Sequence, residues 1–285
     1  MLHKLEKSSF DQYADLAYSL ALDPRKSGYP TYTDGIKTKE DFMKRARKAL
    51  ERDNEDILMF ERSGEVLGWI HYYHLAEDRY LDTCSFCIQE GMGDAIAEFT
   101  AFARQRFPGS ELYLGFPKEN TEAVAALVAL GFERIEESYN NAADLEQYRL
   151  APENAEVRLI TRESYPLFAE IHKQHDDEMY WNTARILADF DNWRIFVSTK
   201  GETVTGAIYT FMFADKHMEE IFGVDFPNDV YDGETYRALV TAAMNDEKRR
   251  GVRHLVLFAE EETQADTLRC GFRCVGEYVC YKLEL

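Results

Sequence analysis

Residues 119–132 read ENTEAVAALVALGF, and residues 261–272 read EETQADTLRCGF. Each stretch predicts a short helix that starts with polar residues and closes on a Gly-Phe pair, Gly131-Phe132 in the first and Gly271-Phe272 in the second. Positions 131 and 271 lie 140 residues apart in a chain of 285 residues. A helix that closes in the same way twice, at a spacing of about half the chain, indicates an internal repeat.

The elements predicted around these two helices follow the same order in both halves of the chain. The first half predicts amphipathic helices near residues 10–22 and 39–53, the second of which Thr38 opens with Asp41 in capping-box register. A hairpin, a strand, a long helix, a strand, the short helix and closing strands follow. Helices predicted at residues 164–174 and 179–189 precede the same series in the second half. The order of elements therefore supports the repeat.

The repeat is interpreted as two domains, residues 1–150 and residues 156–285. The stretch APENAE, residues 151–156, is polar and contains proline, which is typical of a linker. Because a domain usually holds ~100 to 200 residues, 285 residues with 45% hydrophobic content can supply two ordinary cores.

The formal net charge of the chain is −19. Such a surface repels nucleic acid and anionic membranes, and it favours cationic small molecules or basic peptide segments as partners. The first ten residues, MLHKLEKSSF, contain no apolar run of signal-peptide length, and no stretch approaches the ~20 apolar residues of a membrane span. We therefore expect a cytoplasmic protein whose cysteines are reduced.

The repeated unit resembles the GCN5-related N-acetyltransferase (GNAT) family, in tandem and over essentially the whole chain. The resemblance is carried by Leu130-Gly131-Phe132, by Cys270-Gly271-Phe272, and by the glycine-bearing turn before each long helix. It implies an α/β fold of the α+β type, with two acetyltransferase-like domains that each have a mixed, largely antiparallel sheet flanked by helices. It also implies transfer of an acyl group from acetyl-CoA to an amine.

The resemblance further implies a cofactor site in the first copy. The family's turn, Q/R-x-x-G-x-G/A, is matched by Ile88-Gln89-Glu90-Gly91-Met92-Gly93, although Ile88 replaces the usual Gln or Arg. The pyrophosphate would lie on the N-terminus of the following helix, where backbone N–H groups attract anions. The residues expected to contact acetyl-CoA are Ile88, Gln89, Gly91, Met92, Gly93, Asp94 and Asn120.

Two observations bear on this assignment. Asn120 would bond the pantetheine arm, which the family lays between two splayed strands, whereas the matching Glu260 of the second copy would repel a polyanion. The second copy keeps one glycine of the turn, Gly233. An ordinary helix start with a glycine, and an ordinary helix cap at Asn120, remain alternative interpretations.

The chemistry requires a neutral amine, which a base can provide by removing a proton; catalysis by proximity alone is the alternative. In the family this base is often a carboxylate on the strand before the glycine turn, which here is Asp82, or Glu219 or Glu220 in the second copy. A solvated carboxylate at a strand edge is the alternative interpretation. The family's usual tyrosine acid is replaced by Leu127 and Thr267.

Two stretches of the sequence contain residue types that can bind metals. Cys84 and Cys87 have zinc-like spacing, but an odd offset within a strand points the side chains to opposite faces, so we predict no metal. The run HKQHDDE, residues 172–178, is interpreted as a hydrated helix end, or as the cation-attracting rim of an acceptor pocket.

The leading hypothesis is an acyl-CoA-dependent N-acyltransferase, most simply an N-acetyltransferase, that acts on a cationic amine such as a polyamine, an aminoglycoside-like amine or a lysine side chain. The alternative is a non-catalytic protein of the same fold that binds CoA or another ligand, or serves as a scaffold. Fold alone does not choose between them.

Overall fold

The structure is a computed structural model that describes residues 1–177, 179–213 and 216–285. Glu178, the last residue of the HKQHDDE run, lies outside the described residues. The elements of the first half are, in chain order, β1 (Leu2–Lys4), α1 (Phe10–Ala21), α2 (Lys39–Arg47), β2 (Glu55–Arg62), β3 (Glu65–Leu75), β4 (Tyr80–Ile88), α3 (Met92–Arg106), β5 (Glu111–Pro117), α4 (Thr121–Ala129) and β6 (Glu133–Asp144).

The second half repeats this order. Its elements are β7 (Val157–Leu159), α5 (Tyr165–His172), α6 (Thr183–Ala188), β8 (Trp193–Lys200), β9 (Thr203–Phe211), β10 (Met218–Asp225), α7 (Gly233–Arg250), β11 (His254–Ala259), α8 (Glu261–Arg269) and β12 (Arg273–Glu284). The identical order confirms the repeat of elements that the sequence predicts.

The Gly-Phe pairs close α4 and α8 for the same local reason. Gly131 and Gly271 adopt φ of 81° and 103°, in the left-handed region that favours glycine at the end of a helix. The following phenylalanines donate their backbone N–H back into the helix, Phe132 to Leu127 at 3.1 Å and Phe272 to Thr267 at 3.4 Å. Both rings are buried in a core.

A local signal also sets the start of α2. Thr38 and Asp41 form the predicted capping box at the start of α2. The helix ends at Arg47, six residues before the predicted end at 53, and a 3₁₀ turn at Lys48–Leu50 follows it. Capping is thus predicted more accurately than helix length, because helix ends fray and depend on tertiary packing.

The chain divides into two compact units that are not contiguous in sequence. Unit 1 consists of Met1–Ser138 together with Gly276–Leu285, and unit 2 consists of Tyr139–Val275. The predicted division at residues 151–156 falls inside unit 2, where Ala151 N–H donates to Asn245 Oδ1 at 3.0 Å.

The sheet of unit 1 has the strand order β1-β2-β3-β4-β5-β12. β4 and β5 pair in parallel and the other neighbours pair antiparallel, so the sheet is mixed and largely antiparallel, as predicted. The last strand comes from the other end of the chain, since Tyr278 of β12 lies opposite Pro117 and Glu284 lies opposite Glu111.

The sheet of unit 2 has the order β6-β11-β10-β9-β8-β7, with β10 and β11 parallel. Its end strand is the C-terminal part of β6, where Tyr139 lies opposite Ala259 and Asp144 lies opposite His254. Each unit is therefore completed by a strand that directly follows the short helix of the other repeat.

Helices cover both faces of each sheet. In unit 1, α3 and α4 pack on one apolar cluster and α1 and α2 on another. In unit 2, α7 packs on one cluster and α5 on the other. The predicted fold class is confirmed.

Candidate active site

The turn to which the sequence assigns the pyrophosphate leads from β4 into α3. Gly91 lies there at φ 74°, a left-handed conformation that favours glycine. The backbone N–H of Gly93 donates to Glu122 Oε1 on α4 at 3.0 Å. Because N–H groups at a helix start attract anions, Glu122 occupies a place that a phosphate would need.

The other predicted turn residues have varied surroundings. Ile88 and Met92 are buried in the core of unit 1. Gln89 is exposed, and Asp94 is an exposed carboxylate whose Oδ2 lies 3.3 Å from Arg62. The turn therefore combines an exposed carboxylate with side chains that are packed in the core. The assignment of these residues as cofactor ligands stays a prediction.

β4 and β5 diverge in the region where the resemblance places the pantetheine arm. They pair at Leu81 and Leu112 and then separate, and residues 26–29 of the chain enter the gap. We call residues 26–29 the plug. Its backbone hydrogen bonds to the strands are Gly28 N–H to Phe86 O at 2.7 Å, Tyr29 N–H to Gly115 O at 2.8 Å, and Ile88 N–H to Lys26 O at 2.9 Å.

Asn120 contacts the plug. Its Nδ2 donates to Ser27 O at 3.2 Å, and its Oδ1 accepts from Ala123 N–H at 3.1 Å as the cap of α4. The cap interpretation of Asn120 is thus confirmed, and its remaining amide group binds the chain itself. A Cβ added to Gly28 would lie 3.0 Å from Phe86 Cβ, so glycine allows a close approach of the plug to β4.

The predicted base Asp82 is half-buried on β4. Its Oδ2 accepts from Tyr80 at 2.9 Å and from Tyr73 at 3.4 Å, and its Oδ1 accepts from Thr83 N–H at 2.5 Å. Burial raises the pKa of Asp82 to about 6, although these hydrogen bonds oppose the shift. The carboxyl therefore titrates near neutrality, which suits a general base.

The corresponding gap of unit 2 is more accessible. β10 and β11 pair in parallel from Met218 to Ile221 and then separate. Beyond this point Phe222 is 38% exposed, whereas in unit 1 every residue of β4 from Cys84 to Ile88 is at most 6% exposed. Gly223 and Val224 are also partly exposed. Residues 222–224 of β10 are thus more accessible than the corresponding residues of β4, which the plug contacts.

Two guanidinium groups lie near the start of α7. Arg237 and Arg269 both bind Asp266 Oδ1, at 2.8 Å and 2.9 Å. Asp232 caps the helix by accepting from Glu234 N–H at 3.0 Å. At the start of α7, the carboxylate of Asp232 therefore already accepts from a backbone amide. The two guanidinium groups nearby could balance the charge of a phosphate.

The structure separates the two candidate bases of the second copy. Glu219 is fully buried, and both its oxygens accept from Arg250, at 2.8 Å and 2.9 Å. Glu220 is partly exposed, and it lies opposite Phe211 of β9. Neighbouring residues in a strand face opposite sides of the sheet, so Glu219 holds a buried ion pair while Glu220 faces the other side.

The predicted hydrated helix end at residues 172–178 is only partly correct. Asp177 is exposed, but His172 is buried, with Nδ1 2.7 Å from Asp225 Oδ2 and Nε2 2.8 Å from Trp181 O. Both partners are acceptors, so both ring nitrogens carry protons and the ring is cationic. Burial lowers the pKa of His172, but Asp225 more than offsets this, and the net shift is upward.

One group of potential metal ligands lies in unit 1. Oxygen, nitrogen and sulfur atoms of Glu55, His71 and Cys84 lie within 4.8 Å of one another. The Arg45 guanidinium already binds Glu55 at 2.5 Å and Cys84 Sγ at 2.6 Å, and burial raises the pKa of Cys84 to about 12. A protonated thiol beside a guanidinium is a poor metal ligand, and the arrangement is a buried ion pair.

Sequence reasoning missed the plug and the partner of Thr267. The hydroxyl of Tyr236 lies 2.5 Å from Oγ1 of Thr267, the residue that matches the family's tyrosine acid in sequence position. The plug, residues 26–29, carried one usable signal, the Gly28-Tyr29-Pro30 sequence of a constrained extended segment.

Comparisons with solved structures identify the fold. A GCN5-related N-acetyltransferase from Sphaerobacter thermophilus superposes with a TM-score of 0.67 at 16% identity, over 100% of this chain and 95% of that chain. A tandem GNAT protein from the clavulanic acid biosynthesis pathway superposes with a TM-score of 0.60 at 14% identity, over 100% and 98%. A GNAT-family acetyltransferase from Colwellia psychrerythraea gives 0.51 at 11% identity, over 99% of both chains.

The chain therefore has the tandem GNAT fold, and the resemblance seen in the sequence is confirmed at the level of fold. No protein-family model matches the sequence, and no curated protein matches it. Among the described residues, no helix is both long and apolar enough to cross a membrane.

Proposed function

We propose that the chain is an acyl-CoA-dependent N-acyltransferase, of the acetyl-transferring kind, and that unit 2 binds the thioester. The observation that carries this proposal is the accessibility of β10 beyond Ile221, in contrast to the plugged gap of unit 1. The sequence favoured the first copy as the cofactor site. We assign that role to the second copy because, in the first copy, the plug fills the gap between β4 and β5 and hydrogen-bonds to both strands.

Unit 2 offers cations and an accessible strand to acetyl-CoA, although Asp266 adds negative charge near the start of α7 and Glu260 adds negative charge at the start of α8. Arg237 and Arg269 provide positive charge near the start of α7, and the exposed edge of β10 offers a strand against which an extended arm can lie. Acetyl-CoA, when bound, supplies an activated acyl thioester. The residues of the chain would position the thioester and the amine and would accept the proton that the amine loses.

Glu220 is the proposed base. An amine arrives protonated at neutral pH and must lose a proton before it attacks, and a partly exposed carboxylate on β10 can accept that proton directly or through water. The net charge of −19 raises the local concentration of cationic amines over that of anionic metabolites.

A second candidate function is ligand binding or scaffolding without turnover. Two observations favour it: the plug occupies the first gap, and Glu122 and Asp232 already accept from amides at both helix starts. A chain that satisfies these amides itself needs no phosphate to do so.

Calorimetry of the full chain with acetyl-CoA, followed by thiol release with a panel of amines, separates these functions. Saturable binding with amine-dependent thiol release supports the acyltransferase. Binding without release supports a ligand-binding module, and no binding at millimolar acetyl-CoA contradicts the acyltransferase and leaves the scaffold.

A further inference from the structure

We propose that the acceptor of unit 2 is a primary amine that carries an aromatic or similarly bulky apolar group. This inference rests on the proposed function and names the substrate class of the same site. The site is a cluster that we call the aromatic face, which consists of Trp181, Trp193, Phe211, Phe213 and Phe222, with the carboxylate of Glu220 beside it.

Sheet register places the carboxylate in this cluster. Trp193 of β8 lies opposite Phe211 of β9, and Phe211 lies opposite Glu220 of β10. Residues directly opposite one another on neighbouring strands have Cβ atoms about 4.5–5.5 Å apart. Two rings and one carboxylate therefore form a row across three strands.

Glu220 and Phe222 share the face of the sheet that carries these rings. Ile221 lies between them and is buried in the cluster against α7, while Glu219 binds Arg250 of α7. Because side chains alternate, Glu220 projects to the opposite side. Phe222 does so too, since its ring centroid lies 5.6 Å from that of Trp193.

The rings of the aromatic face contact one another, and the face reaches solvent at Phe213 and Phe222, whereas Trp193 is only 2% exposed. Phe211 contacts Trp193 at a centroid distance of 5.1 Å and Phe213 at 5.2 Å, and Trp181 contacts Trp193 at 5.3 Å. Phe213 and Phe222 are 37% and 38% exposed. Rings that reach solvent at the margin of a packed aromatic cluster provide apolar surface for a ligand.

The chemistry of this surface selects its ligand. Aromatic rings attract a cation through their faces, and an adjacent carboxylate adds Coulomb attraction, so the surface favours an ammonium group. Apolar area beyond the ammonium group is buried against the remaining rings, which favours an aromatic substituent. An aromatic carboxylate lacks the first interaction, and a polyamine lacks the second.

The test measures binding to the full chain by tryptophan fluorescence, because two of its three tryptophans, Trp181 and Trp193, belong to the aromatic face. The probes are 2-phenylethylamine, phenylacetate and spermidine, with calorimetry as a second method. We expect 2-phenylethylamine to bind at least about tenfold more tightly than either other probe.

Variants locate the site. Phe222→Leu keeps the bulk and removes the ring, and Phe213→Ala removes a second exposed ring; each should weaken 2-phenylethylamine about fivefold or more. Val128→Ala, at an exposed position of α4 in unit 1, is the control and should leave the Kd unchanged. Equal affinity for all three probes overturns the proposal, as does an unchanged Kd in both ring variants when their circular dichroism matches the parent chain.

Failure of this inference and failure of the proposed function look different. If 2-phenylethylamine binds the aromatic face but acetyl-CoA does not bind, the surface is real and the acyltransferase proposal fails. If thiol is released with spermidine and not with 2-phenylethylamine, the acyltransferase stands and the aromatic acceptor is wrong.

Discussion

The side-chain amide of Asn120 donates a hydrogen bond to the carbonyl oxygen of Ser27, 3.2 Å away and 93 positions earlier in the chain. The same side chain caps α4, so one residue fixes both the helix and the plug, residues 26–29. The sequence predicts Asn120 as a cofactor ligand, and in the structure both groups of its side-chain amide form hydrogen bonds within the chain. The plug thereby occupies the gap between β4 and β5 in which the sequence predicts the arm of the cofactor.

Gly28→Ala should destabilise the chain by about 1–3 kcal/mol, because the added Cβ would lie 3.0 Å from Phe86 Cβ and 3.2 Å from Gly115 O. Urea unfolding measures the change in the free energy of unfolding. The control is Gly276→Ala, where a Cβ meets nothing within 4 Å, and it should change stability by less than about 0.5 kcal/mol. Equal effects in the two variants would show that the plug is loosely held.

Arg237→Glu should weaken acetyl-CoA binding at least tenfold, about 1.4 kcal/mol, because it replaces a cation near the start of α7 by an anion. The matched change in unit 1, Gly93→Glu, should alter the Kd less than threefold. Calorimetry measures both. The reverse pattern would place the cofactor at Gly91, Gly93 and Asn120, as the sequence predicted.

Glu220→Gln should lower kcat/KM about a hundredfold at neutral pH without weakening acetyl-CoA binding, and the deficit should shrink as pH rises and the amine loses its proton unaided. Asp82→Asn, the matched change on β4, should lower kcat/KM less than threefold. A large loss for Asp82→Asn alone would instead make the carboxyl of pKa about 6 the base and unit 1 the catalytic unit.

His172→Gln should destabilise the chain most at low pH. The pKa of His172 lies above its ordinary 6.5 in the folded chain, so the protonated ring stabilises the fold fully below 6.5, and this contribution is lost as pH rises through the folded pKa. The difference in free energy of unfolding between parent and variant should therefore shrink between pH 6 and pH 9. A difference independent of pH would contradict a cationic His172.

Glu55→Gln should cost about 3–5 kcal/mol, because it leaves the guanidinium of Arg45 and the ring of His71 without their buried carboxylate. Lys39→Ala, which removes an exposed ion pair with Asp15, should cost no more than about 1 kcal/mol. Urea unfolding of both variants at pH 7 measures the contrast, and comparable losses would count against a stabilising buried network.

Features set by neighbouring residues were predictable from the sequence. Thr38 and Asp41 form the expected capping box, and Gly131 and Gly271 take the left-handed conformation that ends their helices. These are local events within a few residues, and they depend on side-chain type. The order of elements, and with it the fold class, follows from the same local signals.

Features set by distant backbone contacts were not predictable. The plug, residues 26–29, binds β4 and β5 through N–H and C=O groups that nearly every residue possesses, so Gly28-Tyr29-Pro30 indicates an extended segment but not the strands that it contacts. Strands β6 and β12 both follow a Gly-Phe pair, and no local pattern tells which of them pairs with β5. For Glu219 and Glu220, alternation separates their faces but does not reveal which face holds Arg250.

Because each unit ends on a strand from the other repeat, the two units are completed at different times during protein synthesis. A ribosome makes residues 139–275 as one uninterrupted stretch, so unit 2 can close as soon as that stretch has emerged. Unit 1 begins earlier but lacks a neighbour for β5 until residues 276–285 have been made. The unit that is started first is thus completed last, and its open strand edge must be kept from other nascent chains in the meantime.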